Sequence, residues 1–378
     1  MSPMTERSSD DPGVARNPLI VDALHDELGR RASALSEAGV LSLIKSQRPV
    51  GLLLGSRYIE DVSSDKLVDV IAGERLRLQR YQVLRSTIEA VAPTAYDLKG
   101  LSLAALYPRG LLRSMSDLDI VAADIAQLWT IGATLGREGF APHALTAVRQ
   151  SGRLEIVVSF VQVDPDRNES VEVSTVPLAA GLVAFPRLHS SFPGRARLRH
   201  LAAILDERFE RPFHLRDAVD LILLLAAPVP EEEVQTLLAV TRLSPEYRAL
   251  WRLATVTFPF CHAVLPLPDR RLEALELAQR GAMQIAALRH PARWIRRLLL
   301  NRRLSSDRLG WLAARGWQWA RRVSTEAALA EGLPVFGIRT DSALEDRIKR
   351  ANGDAVDWLD TPLGRFVLVF SDALEVDG

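Results

Sequence analysis

One cysteine, Cys261, stands among 378 residues. Its isolation excludes an internal disulfide and any zinc site built on cysteine pairs, and it suits a reducing compartment. No apolar run is longer than Leu221–Ala227, far short of the roughly 20 residues that a membrane-crossing helix requires. Charge of either sign is not in excess: 47 basic residues balance 47 acidic ones, so no overall field draws the chain to nucleic acid or to a membrane. Lysine is scarce, with 4 against 43 arginines. The seven histidines, at 25, 143, 189, 200, 214, 262 and 290, show no metal-ligand spacing. Internal repeats and low-complexity tracts are absent. The first residues carry no basic-then-apolar leader pattern, and a cytoplasmic location is the expectation.

What remains is a globular composition, 48% hydrophobic and 25% charged, long enough for a catalytic domain with a large appendage. Residues 1–16 are polar and proline-bearing and predict a disordered tail. Residues 17–93 predict helices packing on a core. One runs from Pro18 to about Leu43, and a second from about Ser64 to Ala92, stopped by Pro93. Over 94–190 the pattern alternates. Strands are expected at 94–98 and 116–122, helices at 101–107 and 124–138, and three further strands near 143–150, 154–163 and 169–176. Asp164-Pro165-Asp166-Arg167-Asn168 supplies turn chemistry between the last two. A Pro/Ser/Gly-bearing linker, Pro186 to Gly194, leads to an almost wholly helical region over 195–331. Short strands return over 332–378, at 335–338 and 366–370. The fold class is therefore α+β: a small mixed β-sheet core flanked by N-terminal helices and a large C-terminal helical region.

The most informative stretch is Leu98-Lys99-Gly100-Leu101-Ser102, followed by Arg113-Ser114-Met115-Ser116-Asp117-Leu118-Asp119-Ile120-Val121. Side chains alternate along a strand, so Asp117 and Asp119 share one face while Leu118 and Ile120 take the other. Two carboxylates held so close repel unless a cation lies between them. A hard cation such as Mg²⁺ favours such oxygen ligands and works with substrate phosphates. A glycine turn one helix upstream offers backbone N–H groups to a phosphate. Together these features predict a metal-dependent nucleotidyltransferase.

The same residues resemble the nucleotidyltransferase superfamily of polymerase-beta type, with its glycine turn, helix and Ser-Asp-x-Asp strand. More narrowly they resemble a bacterial branch of it, matching at Leu98, Lys99, Gly100, Leu103, Tyr107, Pro108, Arg113, Asp117 and Asp119. The resemblance covers about residues 64–176. It departs where the superfamily's Gly-Ser reads Gly100-Leu101, with the hydroxyl one place later at Ser102. The resemblance implies nucleotide contacts by Lys99, Gly100, Ser102, Arg113 and Ser116. It also implies two Mg²⁺ ions on Asp117, Asp119 and a third carboxylate from a later strand, which orients or deprotonates an acceptor hydroxyl. Glu172, alternating with Val171 and Val173, is the choice for that third acid; Glu155 is the runner-up and Asp164 sits in a turn. The competing accounts are a structural salt bridge near the sheet for Lys99 and a pairing with a surface acid for Arg113.

Two further features are open to two accounts. His214, Arg216, Asp217 and Asp220 fall on one helix, and the simpler expectation is a polar stripe outside with Leu221, Leu224 and Leu225 inside. Arg289–Arg322 interleaves arginines with Trp294, Trp311, Trp317 and Trp319, which fits an amphipathic helical pair with snorkelling arginines or an acceptor-binding surface. The functional expectation is transfer of a nucleoside monophosphate from an NTP to an acceptor hydroxyl. The acceptor is left open, with a small molecule or peptide ahead of tRNA. The alternative is a catalytically weak binding or scaffold protein of the same fold that uses the Arg/Trp surface.

Overall fold

The computed structural model describes residues 17–61, 65–150, 152–164, 166–176, 196–209, 211–226, 229–288, 326, 329, 335–341, 345 and 357–369. The expected tail 1–16, the linker Pro186–Gly194 and the Arg/Trp tract lie outside them. The fold is mixed, and the described strands form one eight-stranded sheet. The chain divides into two compact units: residues 1–79, 99–115 and 190–279 in the first, and 80–98, 116–189 and 280–378 in the second. The glycine turn and Arg113 belong to the first unit and the paired aspartates to the second.

In the first unit the expected N-terminal helix is two, α1 (Pro18–Ser33) and α2 (Glu37–Ser46). Each opens on a capping side chain: Asn17 accepts from Leu19 N–H at 3.2 Å and Ser36 from Gly39 N–H at 3.1 Å. A helix that the pattern did not announce, α3 (Arg48–Asp61), follows. Its Pro49 falls in the first turn, where a missing N–H costs nothing. Its Gly51 lets α2 approach, since a Cβ there would lie 2.3 Å from Ile44 N. Ala32, Val40, Ile44 and Leu52 pack with Leu67, Ile71 and Leu112 into one apolar cluster. Leu67 and Ile71 come from α4 (Asp65–Val91), the long helix bounded by Pro93 as expected. The short helix α5 (Gly100–Ala104) ends three residues before the expected 107. Helices α7 (Ala196–Asp206), α8 (Leu215–Leu225), α9 (Glu231–Thr241), α10 (Ser244–Thr257) and α11 (Arg270–Leu288) complete the described helical region. Helix α8 is buried from Asp217 to Leu225 on every face.

The second unit holds the sheet. Its strands are β1 (Tyr96–Leu98), β2 (Asp117–Val121), β3 (Phe140–Gln150), β4 (Arg153–Gln162), β5 (Ser170–Ser174), β6 (Val335–Arg339), β7 (Asp357–Thr361) and β8 (Gly364–Val369), in spatial order β1-β2-β5-β4-β3-β6-β8-β7. The C-terminal strands expected at 335–338 and 366–370 extend the same sheet through the β3–β6 pairing. Among the described strands only β2 and β5 pair in parallel; helix α6 (Ile125–Arg137) and the β3–β4 hairpin lie between them and supply the long connection that parallel neighbours need. One face of the sheet buries Leu118, Ile120, Val158, Phe160, Val171 and Val173, and α6 buries Leu128, Ile131 and Leu135. Gly132 of α6 meets Phe160 and Leu363 so closely that a Cβ would lie 2.7 Å from Leu363 Cδ1. The opposite face carries the carboxylates.

Candidate metal centre

Strand β2 has the burial alternation that its sequence demands: Asp117 exposed, Leu118 buried, Asp119 half-buried, Ile120 buried. Strand β5 repeats it, with Val171 and Val173 buried and Glu172 half-buried between them. The parallel register sets Asp119 beside Glu172 and Asp117 beside Ser170. Residues paired across a ladder project to one face, with neighbouring strands about 4.8 Å apart. Asp119 and Glu172 are therefore side by side, and Asp117 lies on the same face about 6.6 Å along its strand. The row continues through Leu98 on one side and Ser159 on the other. Ser116 Oγ donates to Asp117 Oδ1 at 2.8 Å.

The other acids weighed for the third position are committed elsewhere. Glu155 is 8% exposed and accepts from Thr175 Oγ at 2.7 Å. It lies four residues along β4 from Ser159, the neighbour of Glu172, or about 13 Å away. Asp164 turns the chain, accepting from Asp166 N–H at 3.0 Å in an Asx turn.

Among the described residues, no three His, Cys, Asp or Glu side chains converge closely enough to form a metal cage by themselves. Of the three carboxylates expected to hold metal, the register sets Asp119 beside Glu172, with Asp117 on the same face at the open end of the row. The donor chemistry suits Mg²⁺, which keeps several waters and takes one or two carboxylates together with substrate phosphates.

Comparison with protein-family profiles, with curated proteins and with solved structures returns no match. Neither family nor activity is assigned by likeness.

The start of the carboxylate row is built by α4. Tyr81, fully buried, donates to the Ser116 carbonyl at 3.2 Å and lies 3.1 Å from both the carbonyl and the N–H of Ser170. Its neighbour Arg80 pairs with Glu169, which also holds Arg167 at 2.7 Å. Sequence reading missed both residues. Tyr81 is on the buried face of an amphipathic helix, and its hydroxyl partners are backbone atoms that the sequence does not display.

The first unit gives the expected nucleotide contacts other partners. Lys99 adopts a left-handed φ of 57° with ψ −101°, uncommon for any residue but glycine. Its N–H donates to His200 Nδ1 at 3.1 Å and its Nζ to Glu207 Oε1 at 2.6 Å. Gly100 is buried, and its carbonyl lies 3.4 Å from an Arg113 nitrogen. Ser102 is half-exposed within α5. Arg113 is 5% exposed. Its Nε and Nη2 grip Asp220 of α8 at 2.8–3.1 Å, and Tyr107 donates to the same carboxylate at 2.7 Å. Burial works to lower the guanidinium pKa, but Asp220 outweighs it and the net shift is upward. Burial, with Asp220 beside it, pushes the Tyr107 phenol well up. A guanidinium spent on a buried carboxylate is a structural ion pair.

The polar stripe of α8 is likewise inside rather than outside. Asp217 is 2% exposed and accepts from Arg211 at 2.7 and 3.0 Å and from His214 N–H at 2.7 Å. Buried carboxylates persist where cations and N–H groups replace water. The Asp217 carboxyl stays below its ordinary range although burial works to raise it, because Arg211 bonds the ionised form. Glu207 is also lowered against burial, by Lys99 and then Arg211. His214 is lowered by burial and by Arg211. No helix among the described residues is long and apolar enough to cross a membrane.

Proposed function

We propose that the protein is a Mg²⁺-dependent nucleotidyltransferase that moves a nucleoside monophosphate from an NTP to an acceptor hydroxyl. The observation that carries this reading is the parallel register of Asp119 with Glu172, two carboxylates from strands more than 50 residues apart, on the face that also bears Asp117. Asp119 and Glu172 would hold the metal, with Asp117 contributing from the end of the row. The metal would supply charge neutralisation at the attacking and leaving oxygens of an in-line displacement. In that displacement the acceptor oxygen bonds to the α-phosphorus, the bond to pyrophosphate breaks, and the hydroxyl proton passes to a carboxylate of the row. Glu172 is suited to that proton because it stands on the strand next to the Asp117/Asp119 strand.

The direct experiment incubates the protein with each of four NTPs and Mg²⁺, offering small hydroxyl compounds and peptides as acceptors, and measures pyrophosphate release. Release by the wild type that disappears in Asp119→Asn supports the reading; equal release by both overturns it.

One observation favours a second reading, a catalytically weak binding or scaffold protein of the same fold. Lys99 and Arg113, the cations that the resemblance assigns to phosphate, are engaged by Glu207 and Asp220. NTP binding that ignores Mg²⁺, with no pyrophosphate released, would select it.

A further inference from the structure

The carboxylate row is only as well defined as the starts of the two strands that bear it. Asp117 is the first residue of β2 and Glu172 the third of β5. Strand ends fray when their backbone groups lack partners. Here the Tyr81 hydroxyl occupies the point where the two strands begin. It reaches the Ser116 carbonyl, one residue before Asp117, and both backbone groups of Ser170, two residues before Glu172. Ser170 Oγ also points to the Ser116 carbonyl at 3.4 Å. Arg80 adds a second grip on the adjacent Glu169, whose side chain is 1% exposed. Two consecutive residues of one helix thus hold Glu169 and Ser170, at the start of β5, and Tyr81 also reaches Ser116, the residue before β2.

We propose that Tyr81 is a positioning residue for the metal centre: its hydroxyl sets the separation of β2 and β5, and through it that of the Asp119 and Glu172 carboxylates. This role presupposes the metal site proposed above. Tyr81 touches neither carboxylate; it acts through the backbone of Ser116 and Ser170. Removing a group bonded directly to a metal ligand changes affinity by roughly 10–100-fold; Tyr81 acts one step further out, through the backbone, so the low end of that range is expected, whereas a purely structural hydroxyl changes only stability.

The test is a Mn²⁺ titration of the full chain, with free Mn²⁺ read by electron paramagnetic resonance and thermal melts run alongside. Tyr81→Phe keeps the ring and removes the hydroxyl, and is expected to weaken Mn²⁺ binding about tenfold. Tyr247→Phe is the control, because it removes another buried tyrosine hydroxyl, one bonded to the Pro266 carbonyl at 2.7 Å, in the first unit. Weakening in Tyr81→Phe but not in Tyr247→Phe supports the role; equal affinities in the two variants overturn it. If Tyr81→Phe does not fold in plain buffer, the same titration is run on both variants in a stabilising osmolyte, and wild-type affinity in Tyr81→Phe there overturns the role. Failure of the wild type to bind Mn²⁺, or binding that survives Asp119→Asn, overturns the metal site itself and this role with it.

Discussion

Asp119 and Glu172 are register partners on adjacent parallel strands, so two like charges stand side by side on one sheet face. Opposed like charges destabilise a sheet. Asp119→Asn should therefore abolish metal-dependent transfer while the melting temperature without metal holds or rises. A lower melting temperature in metal-free buffer would show that Asp119 stabilises the fold instead.

Glu172 and Glu155 should separate function from stability. Glu172→Gln is expected to remove activity with little change in folding. Glu155→Gln is expected to leave activity and to cost about 1–3 kcal/mol, the usual range for disturbing a buried hydrogen-bonded group, since Glu155 accepts from Thr175 within the sheet. Urea melts and pyrophosphate assays on the two variants check both halves.

The Arg113–Asp220 pair is 4% and 1% exposed at its side chains. Asp220→Ala leaves a buried guanidinium without its carboxylate and should destabilise by about 3–5 kcal/mol. Arg113→Lys should recover only part of the wild-type stability, because an ammonium cannot reproduce the two-pronged grip. Chemical denaturation of the two single variants decides it; a change below 1 kcal/mol in Asp220→Ala would contradict the buried pair.

Acid should weaken the first unit in two steps of the same sign. His214 has its folded pKa below the ordinary 6.5, so the unfolded chain binds that proton first and stability falls as pH drops below about 6.5. Glu207 and Asp217 are also depressed, from 4.5 and 3.8. Their contribution is complete above those values and is lost as pH falls through the folded ones. Stability measured from pH 8 to pH 3 should show both steps, and His214→Gln should erase the upper one alone.

The strained Lys99 turn gives the last expectation. His200→Leu removes the acceptor of the Lys99 N–H, whereas His200→Asn offers a carbonyl oxygen in a similar place. The leucine variant should be destabilised and the asparagine variant should recover most of the loss. Equal melting temperatures for the two would show that the imidazole contact does not hold the turn.

Much of this was legible from local pattern. Alternation along 117–121 and 170–174 placed Asp117, Asp119 and Glu172 on one side of their strands, and it separated Glu172 from its buried valine neighbours correctly. Helix α6 and strands β3 to β5 followed from period and turn residues. Helix α3 was hidden because Pro49, Gly51 and Gly55 look like breakers, although one sits in a permissive first turn and another serves close packing. Strand β7 was hidden because Asp357 and Asp360 are unfavourable strand residues on intrinsic propensity; its pairing with β8 and the Arg365–Asp360 contact at 2.6 Å accompany them.

By itself the sequence determined what depends on neighbours within a turn or a strand: the type of most elements and the shared face of two carboxylates two residues apart. Tertiary structure alone decided which distant groups meet. Glu172 reaches Asp119 only because β5 returns parallel to β2 after a helix and a hairpin. Arg113 becomes structural only because Asp220, 107 residues later, is buried against it. Periodicity carries no information about such encounters, because the energy that selects them is the satisfaction of charges and backbone groups already removed from water.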